Sequence, residues 1–156
     1  MKCSIAFISL ALMGTTSALA QSDKVVVTPY ETQQISAGSP ENFTGKVRVT
    51  SRFQRQSPAR IGGGDVTFEA GARTAWHTHP LGQTLIVTEG SGWVQHWDGP
   101  AQVIKAGDVV WIPPGVKHWH GASHHSGLRH IAIAEALDGK SVTWLEHVSN
   151  DQYPDH

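Results

Sequence analysis

The 156 residues suit one domain, with 39% hydrophobic residues, 16% charged residues and a formal net charge of −1. That balance excludes a disordered chain, and the lack of a basic run gives nucleic acid no electrostatic footing. With 10 His, 6 Trp and 16 Gly against a single Cys, the composition points to a β-rich protein with metal or acid–base chemistry.

Residues 1–20 read as an export leader. Lys2 supplies a short positive end, Ile5 to Met13 an apolar core, and Ala18-Leu19-Ala20 a small-x-small cleavage signal. The apolar run is shorter than the roughly 20 residues of a spanning helix. Cleavage removes Cys3, so the mature chain carries no cysteine, which suits an oxidising periplasmic or secreted setting without disulfides. No membrane attachment is expected after cleavage. Residues 21–45 form a polar N-terminal arm punctuated by Pro29, Gly38 and Pro40, with Lys24 to Thr28 as its strand candidate.

Residues 46–148 form the body. Short strand-like runs recur: Phe43 to Val49, Ile61 to Phe68, Arg73 to His79, Gln83 to Glu89, Gly92 to Trp97, Ala101 to Lys105, Val109 to Ile112, His118 to Ala122, Leu128 to Leu137, and Val142 to Val148. Arg52 to Pro58 reads as a loop, and Gly62-Gly63-Gly64 as a bulge or a close backbone approach. Turn signals separate the runs, among them Glu89-Gly90, Pro113-Pro114-Gly115 and Asp138-Gly139-Lys140. Such spacing predicts an all-β sandwich or barrel. Residues 149–156 read as a flexible tail, with Asp151 to His156 fraying.

Two stretches carry the chemistry. In Gly71 to Gly90, GARTAWHTHPLGQTLIVTEG, His77 and His79 are two residues apart and share one face of a strand. Gln83 follows the Pro80–Gly82 break and adds an amide oxygen able to face the same cavity. In Gly107 to His120, GDVVWIPPGVKHWH, a Pro-Pro-Gly turn precedes His118 and His120, which again share a face.

The spacing of these residues resembles the two motifs of the cupin family. Gly71, five residues, His77, one residue, His79, three residues, Gln83, six residues and Gly90 make the first. Gly107, five residues, Pro113, one residue, Gly115, two residues and His118 make the second. The resemblance implies a jelly-roll barrel whose mouth holds a divalent metal on His77, His79, Gln83 and His118. Most cupins carry glutamate at the third position. Gln83 leaves the charge of the ion uncompensated, which makes it a stronger Lewis acid and draws anionic ligands. Mixed N and O donors suit Mn(II) or Fe(II), with other first-row metals able to bind.

The runs ARTAWHTHPLGQTLIVT, GDVVW, KHWHGA, RHIAI, LDGK and EHV are similar to small bacterial cupins that act as manganese-dependent (R)-hydroxynitrile lyases. The export leader is a departure from them. This likeness implies cleavage of a cyanohydrin to an aldehyde and hydrogen cyanide, with His130 as the base and Thr74 as a pocket residue. His130, Ala132 and Ala134 alternate onto one face, which leaves room above two small residues. His120 is read either as a proton donor to the leaving group or as a wall residue.

Two further functions fit the same residues: a dioxygenase-type redox enzyme on Fe(II) or Mn(II), and a non-catalytic periplasmic binder of a small acid or sugar. A small molecule is the expected partner, in a homodimer or homotetramer. Trp76 and Trp119 are expected to pack behind the ligands, and Trp93, Trp111 and Trp144 to line the barrel or an oligomer surface. Arg73 and Lys117 are read as surface residues, and His124, His125, His147 and His156 as loop residues.

Overall fold

The structure, a computed structural model, describes residues 24–55 and 57–154. The export leader with Cys3, the first three residues of the arm, and His156 lie outside the described residues. Twelve strands follow in order: β1 (Ser36–Ala37), β2 (Phe43–Thr44), β3 (Val47–Gln54), β4 (Ile61–Phe68), β5 (Arg73–Thr74), β6 (His77–Thr78), β7 (Gln83–His96), β8 (Gln102–Lys105), β9 (Val109–Ile112), β10 (His118–Ala122), β11 (Leu128–Glu135) and β12 (Thr143–Trp144). The described helical segments are two short 3-10 turns, Tyr30–Thr32 and Asn150–Gln152. All named pairings are antiparallel, and the sheet runs β1-β3-β4-β11-β7-β10-β5-β2, with β8 and β9 also on β7. The expected all-β architecture is present.

Strand β7 joins the two halves of the curled sheet. Its first part pairs with β11 and β9, and its second part with β10 and β8. The sequence reading places a turn at Glu89-Gly90, but the strand runs through it. Gly90 sits there at φ 73, and a Cβ on it would overlap the carbonyl of Gly127. Only glycine permits both the left-handed backbone and that approach.

Period-2 alternation builds the core. On β4, Gly62, Gly64, Val66 and Phe68 face inward; on β11, Leu128 and His130 do. Val47, Val49, Phe68, Val87, Ile104 and Leu128 form one buried cluster, and Trp76, Trp119, Val148 and Tyr153 a second. Trp76 and Trp119 thus pack behind the histidines, as expected. Trp144 lines the cavity described below, while Trp111 lies 58% exposed on the outer face.

Further expectations change. The Arg52 to Pro58 run is not all loop, because β3 continues through Gln54, paired with Gly62 of β4. Lys24 to Thr28 forms no strand, and its valines are exposed: without a partner strand, β propensity alone does not hold the run extended in a sheet. The Val142 to Val148 run reduces to β12, because beyond Trp144 the chain makes single backbone contacts to Trp76 rather than a ladder. Arg73 is 5% exposed, not a surface residue: its guanidinium donates to Val148 O and Asn150 Oδ1 and lies 4.5 Å over the Tyr153 ring. The tail does not fray through residue 153. Ser149 and Gln152 make a capping box, and the buried Tyr153 donates its hydroxyl to Ala122 O at 2.5 Å and packs on Trp119. Tyr153→Ala is therefore expected to destabilise the fold by about 3 kcal/mol, read as a lower midpoint in urea unfolding; an unchanged midpoint would mean the tail is not held.

Candidate metal centre

The two motif stretches meet because β6 pairs with β10 in the register His77↔His118. Directly opposed residues bring those two rings to 4.1 Å between centroids. His79 follows β6 at a turn: its carbonyl accepts from Gly82 N at 3.3 Å and from Gly115 N at 2.9 Å, which ties the first motif to the Pro-Pro-Gly turn of the second. Gln83 opens β7 opposite Ala134 of β11. One potential donor atom from each of His77, His79 and His118 lies within 4.8 Å of the others. All three residues and Gln83 are buried.

The hydrogen bonds fix which nitrogens face inward. His77 Nδ1 donates to Ala75 O at 2.9 Å, His79 Nδ1 to Ser141 O at 2.6 Å, and His118 Nδ1 to Val116 O at 2.9 Å. A carbonyl can only accept, so each Nδ1 carries the proton and each Nε2 presents a bare lone pair. His79 Nε2 is buried with no partner. His118 Nε2 faces Gln83 Oε1 at 3.2 Å, an acceptor against an acceptor. Three such imidazoles and an amide oxygen fit a divalent cation: ligating histidines usually donate their other ring nitrogen in this way.

Burial also keeps these rings neutral, as ligation requires. Desolvation pushes His77 well below the ordinary histidine range, and lowers His118 to about 4. It lowers His130 to about 4 and His120 well below 6.5, the latter with help from neighbouring His130. The unfolded chain therefore takes up protons on His118 and His130 below about pH 6.5, where the folded chain does not. Stability of the metal-free protein should fall from pH 6.5 to pH 4, by on the order of 3 kcal/mol per imidazole. Thermal melts across that window check it; a flat midpoint would contradict the burial.

A cavity of about 780 Å³ opens beside the triad. His77, His79, Gln83, Thr74, His120 and His130 line it together. His130 Nε2 lies 3.1 Å from His120 Nδ1, while His130 Nδ1 and His120 Nε2 are buried without partners. Thr74 Oγ1 accepts from the backbone N–H of His120 at 3.1 Å and so fixes the start of that pair. Ala132 and Ala134 line the cavity with His130, as the alternation predicts.

The remaining candidates disperse. His125 is exposed, His124 packs on Tyr153 at 4.4 Å, and His147 Nδ1 contacts Thr44 Oγ1 at 3.3 Å. Lys117 is occupied by Glu146 and stacks 3.4 Å over Trp97. Trp144, expected to line the barrel or an oligomer surface, has its ring 4.7 Å from His77, while Ser141, whose carbonyl holds His79, was not singled out by the sequence. Both sit on a late segment brought to the site by long-range pairing of β12 with β6, which leaves no local signal.

A curled antiparallel sheet carrying this histidine set defines a class, and the comparisons agree: the cupin domain model matches residues 64–133, and the chain belongs to the cupin family. The chain is similar to the (R)-mandelonitrile lyase of Granulicella tundricola, 56% identical over 121 residues, which is 78% of this chain and 92% of that one. It is also similar to the crystal structure of a cupin-like protein from Thermotoga maritima, with 44% identity and TM-score 0.71, over 76% of this chain and 90% of that one. A cupin 2 conserved barrel domain protein from Rhodopseudomonas palustris shares the fold at 14% identity and TM-score 0.60, over 81% and 87% of the two chains.

Proposed function

We propose that the protein is a metal-dependent hydroxynitrile lyase, which cleaves a cyanohydrin to an aldehyde and hydrogen cyanide and catalyses the reverse addition. The observation that carries this reading is the His120–His130 pair, buried beside the triad with a free ring nitrogen at each end. The likeness to a protein named (R)-mandelonitrile lyase supports the same class.

His77, His79, His118 and Gln83 would hold the ion, proposed as Mn(II) with Fe(II) or another first-row metal fitting the same donors. When bound, it would supply Lewis acidity that makes the substrate hydroxyl easier to deprotonate. His130 Nδ1 takes the hydroxyl proton, and the O–H electron pair becomes part of the new C=O bond as the C–C pair leaves with cyanide. In the tautomer with His130 Nε2 donating to His120 Nδ1, the proton at the far end, on His120 Nε2, is released to cyanide. The proton count balances: one leaves oxygen and one reaches cyanide. Thr74 positions His120 through its backbone. Ala132 and Ala134 leave space for the substrate body.

Export to the periplasm through residues 1–20 belongs to the same proposal, as does association into a homodimer or homotetramer. The exposed Val103, Val109 and Trp111 on β8 and β9 support the latter. The proposed activity is tested by adding benzaldehyde and cyanide and separating the product on a chiral column. An excess of (R)-mandelonitrile formed faster than without protein is expected; racemic product at the background rate would overturn the reading.

A further inference from the structure

The glycine run of β4 is not used by the chemistry above, and it opens onto a distinctive part of the cavity wall. Strand β3 is irregular where it passes this run: Thr50 pairs with Asp65 and Phe53 with Gly63, so Ser51 and Arg52 both stand opposite Gly64. Ser51 takes a left-handed backbone, φ 52, and its hydroxyl is bonded to Gln33 of the arm. A bulge of this kind re-aims a side chain, and bulges gather beside active sites. The stem of Arg52 lies over the bare inner face of Gly64, its Cγ 3.4 Å from where a Cβ would stand. The amide of Gln54 covers the inner face of Gly62 in the same way. Arg52 and Gln54 are exposed residues that line the cavity; a Cβ at position 62 would overlap the Gln54 amide, whereas one at position 64 would meet the Arg52 stem in ordinary contact.

The charge balance of the cavity gives this placement a meaning. Arg52 lines it, and among the described residues no Asp or Glu does. Arg60 and Arg129 are matched by carboxylates, and Arg73 by Val148 O and Asn150. Among the described residues Arg52 has no ion pair. The neutral ligand set adds no negative charge at the other end. Arg52 stands three strands from Gln83 in the order β3-β4-β11-β7, about 14 Å of curled sheet at the usual strand spacing. A guest that fills the space between them meets positive charge at its far end with nothing in the wall to neutralise it.

We propose that Arg52 is a specificity-determining residue, and that the substrate carries a carboxylate at the end remote from the histidines, received by the Arg52 guanidinium with Gln54 beside it. A planar guanidinium suits a carboxylate because two parallel N–H donors match its two oxygens. This rests on the reading of the cavity as the substrate site. It is tested by binding rather than turnover, so a failure of the lyase reading, seen as no cyanide release, is scored separately.

The probes are 4-(hydroxymethyl)benzoate, a homologue with its carboxylate on a two-carbon tether, and neutral 4-methylbenzyl alcohol. They are titrated calorimetrically into the metal-loaded protein and into Arg52→Gln and Arg52→Lys. At least one carboxylate is expected to bind about tenfold tighter than the neutral alcohol. That preference should vanish in Arg52→Gln, return in part in Arg52→Lys, and weaken with added salt. Equal binding of all three probes to the wild type would overturn the proposal. So would a preference that survives in Arg52→Gln, since the carboxylate would then be bound at the histidine end.

Discussion

His130→Ala is expected to lower kcat for mandelonitrile cleavage by about 10²- to 10⁴-fold while the metal content stays that of the wild type. His130 is fully buried on β11, and its ring contacts His120 rather than a triad nitrogen. Removing it deletes the proposed proton acceptor and leaves the Nε2 atoms of His77, His79 and His118 in place. The ring also packs 5.4 Å from Phe68, so alanine leaves a hole. His130→Phe refills that volume without a ring nitrogen and should show the same loss with a smaller change in thermal midpoint. A kcat within twofold of wild type in both variants would remove His130 from the chemistry.

His118→Ala should have the second large effect, through a different route. Bound metal is expected to fall from about one ion per chain to near zero by elemental analysis, and cleavage to the uncatalysed rate. Each triad imidazole is oriented by its own backbone carbonyl, and none of these bonds passes through another ligand. Removing His118 leaves two imidazoles and an amide, all neutral, with no carboxylate to compensate. The two variants separate two functions: one loses turnover with metal retained, the other loses both. A full metal complement in His118→Ala would place the ion elsewhere.

The grouping of His77, His79 and His118 was legible in the sequence because it depends on short-range rules. Period-2 alternation put His77 with His79 and His118 with His120, and two glycine- and proline-rich turns marked where each strand begins. The inward face of His130 followed from the same alternation with Ala132 and Ala134. What was not legible depends on pairing across the chain. Glu89-Gly90 looks the same in sequence whether the chain reverses or a strand crosses between two halves of a sheet; the approach of Gly127 decides it. Tyr153 and Arg73 read as tail and surface until the last residues dock over Trp119 and Ala122. The bulge that brings Arg52 to the cavity wall arises from a mismatch between β3 and β4, visible only once their register is known.

Metal dependence of cyanohydrin cleavage is the claim on which the rest stands. Its most direct test is the rate of benzaldehyde release from (R)-mandelonitrile by one protein sample as isolated, after chelation, and after reloading with Mn(II). Cleavage is expected to be lost on stripping and to recover in proportion to the metal bound, with no matching recovery when His118→Ala is reloaded. Stripped and reloaded protein releasing benzaldehyde at the same rate would contradict it.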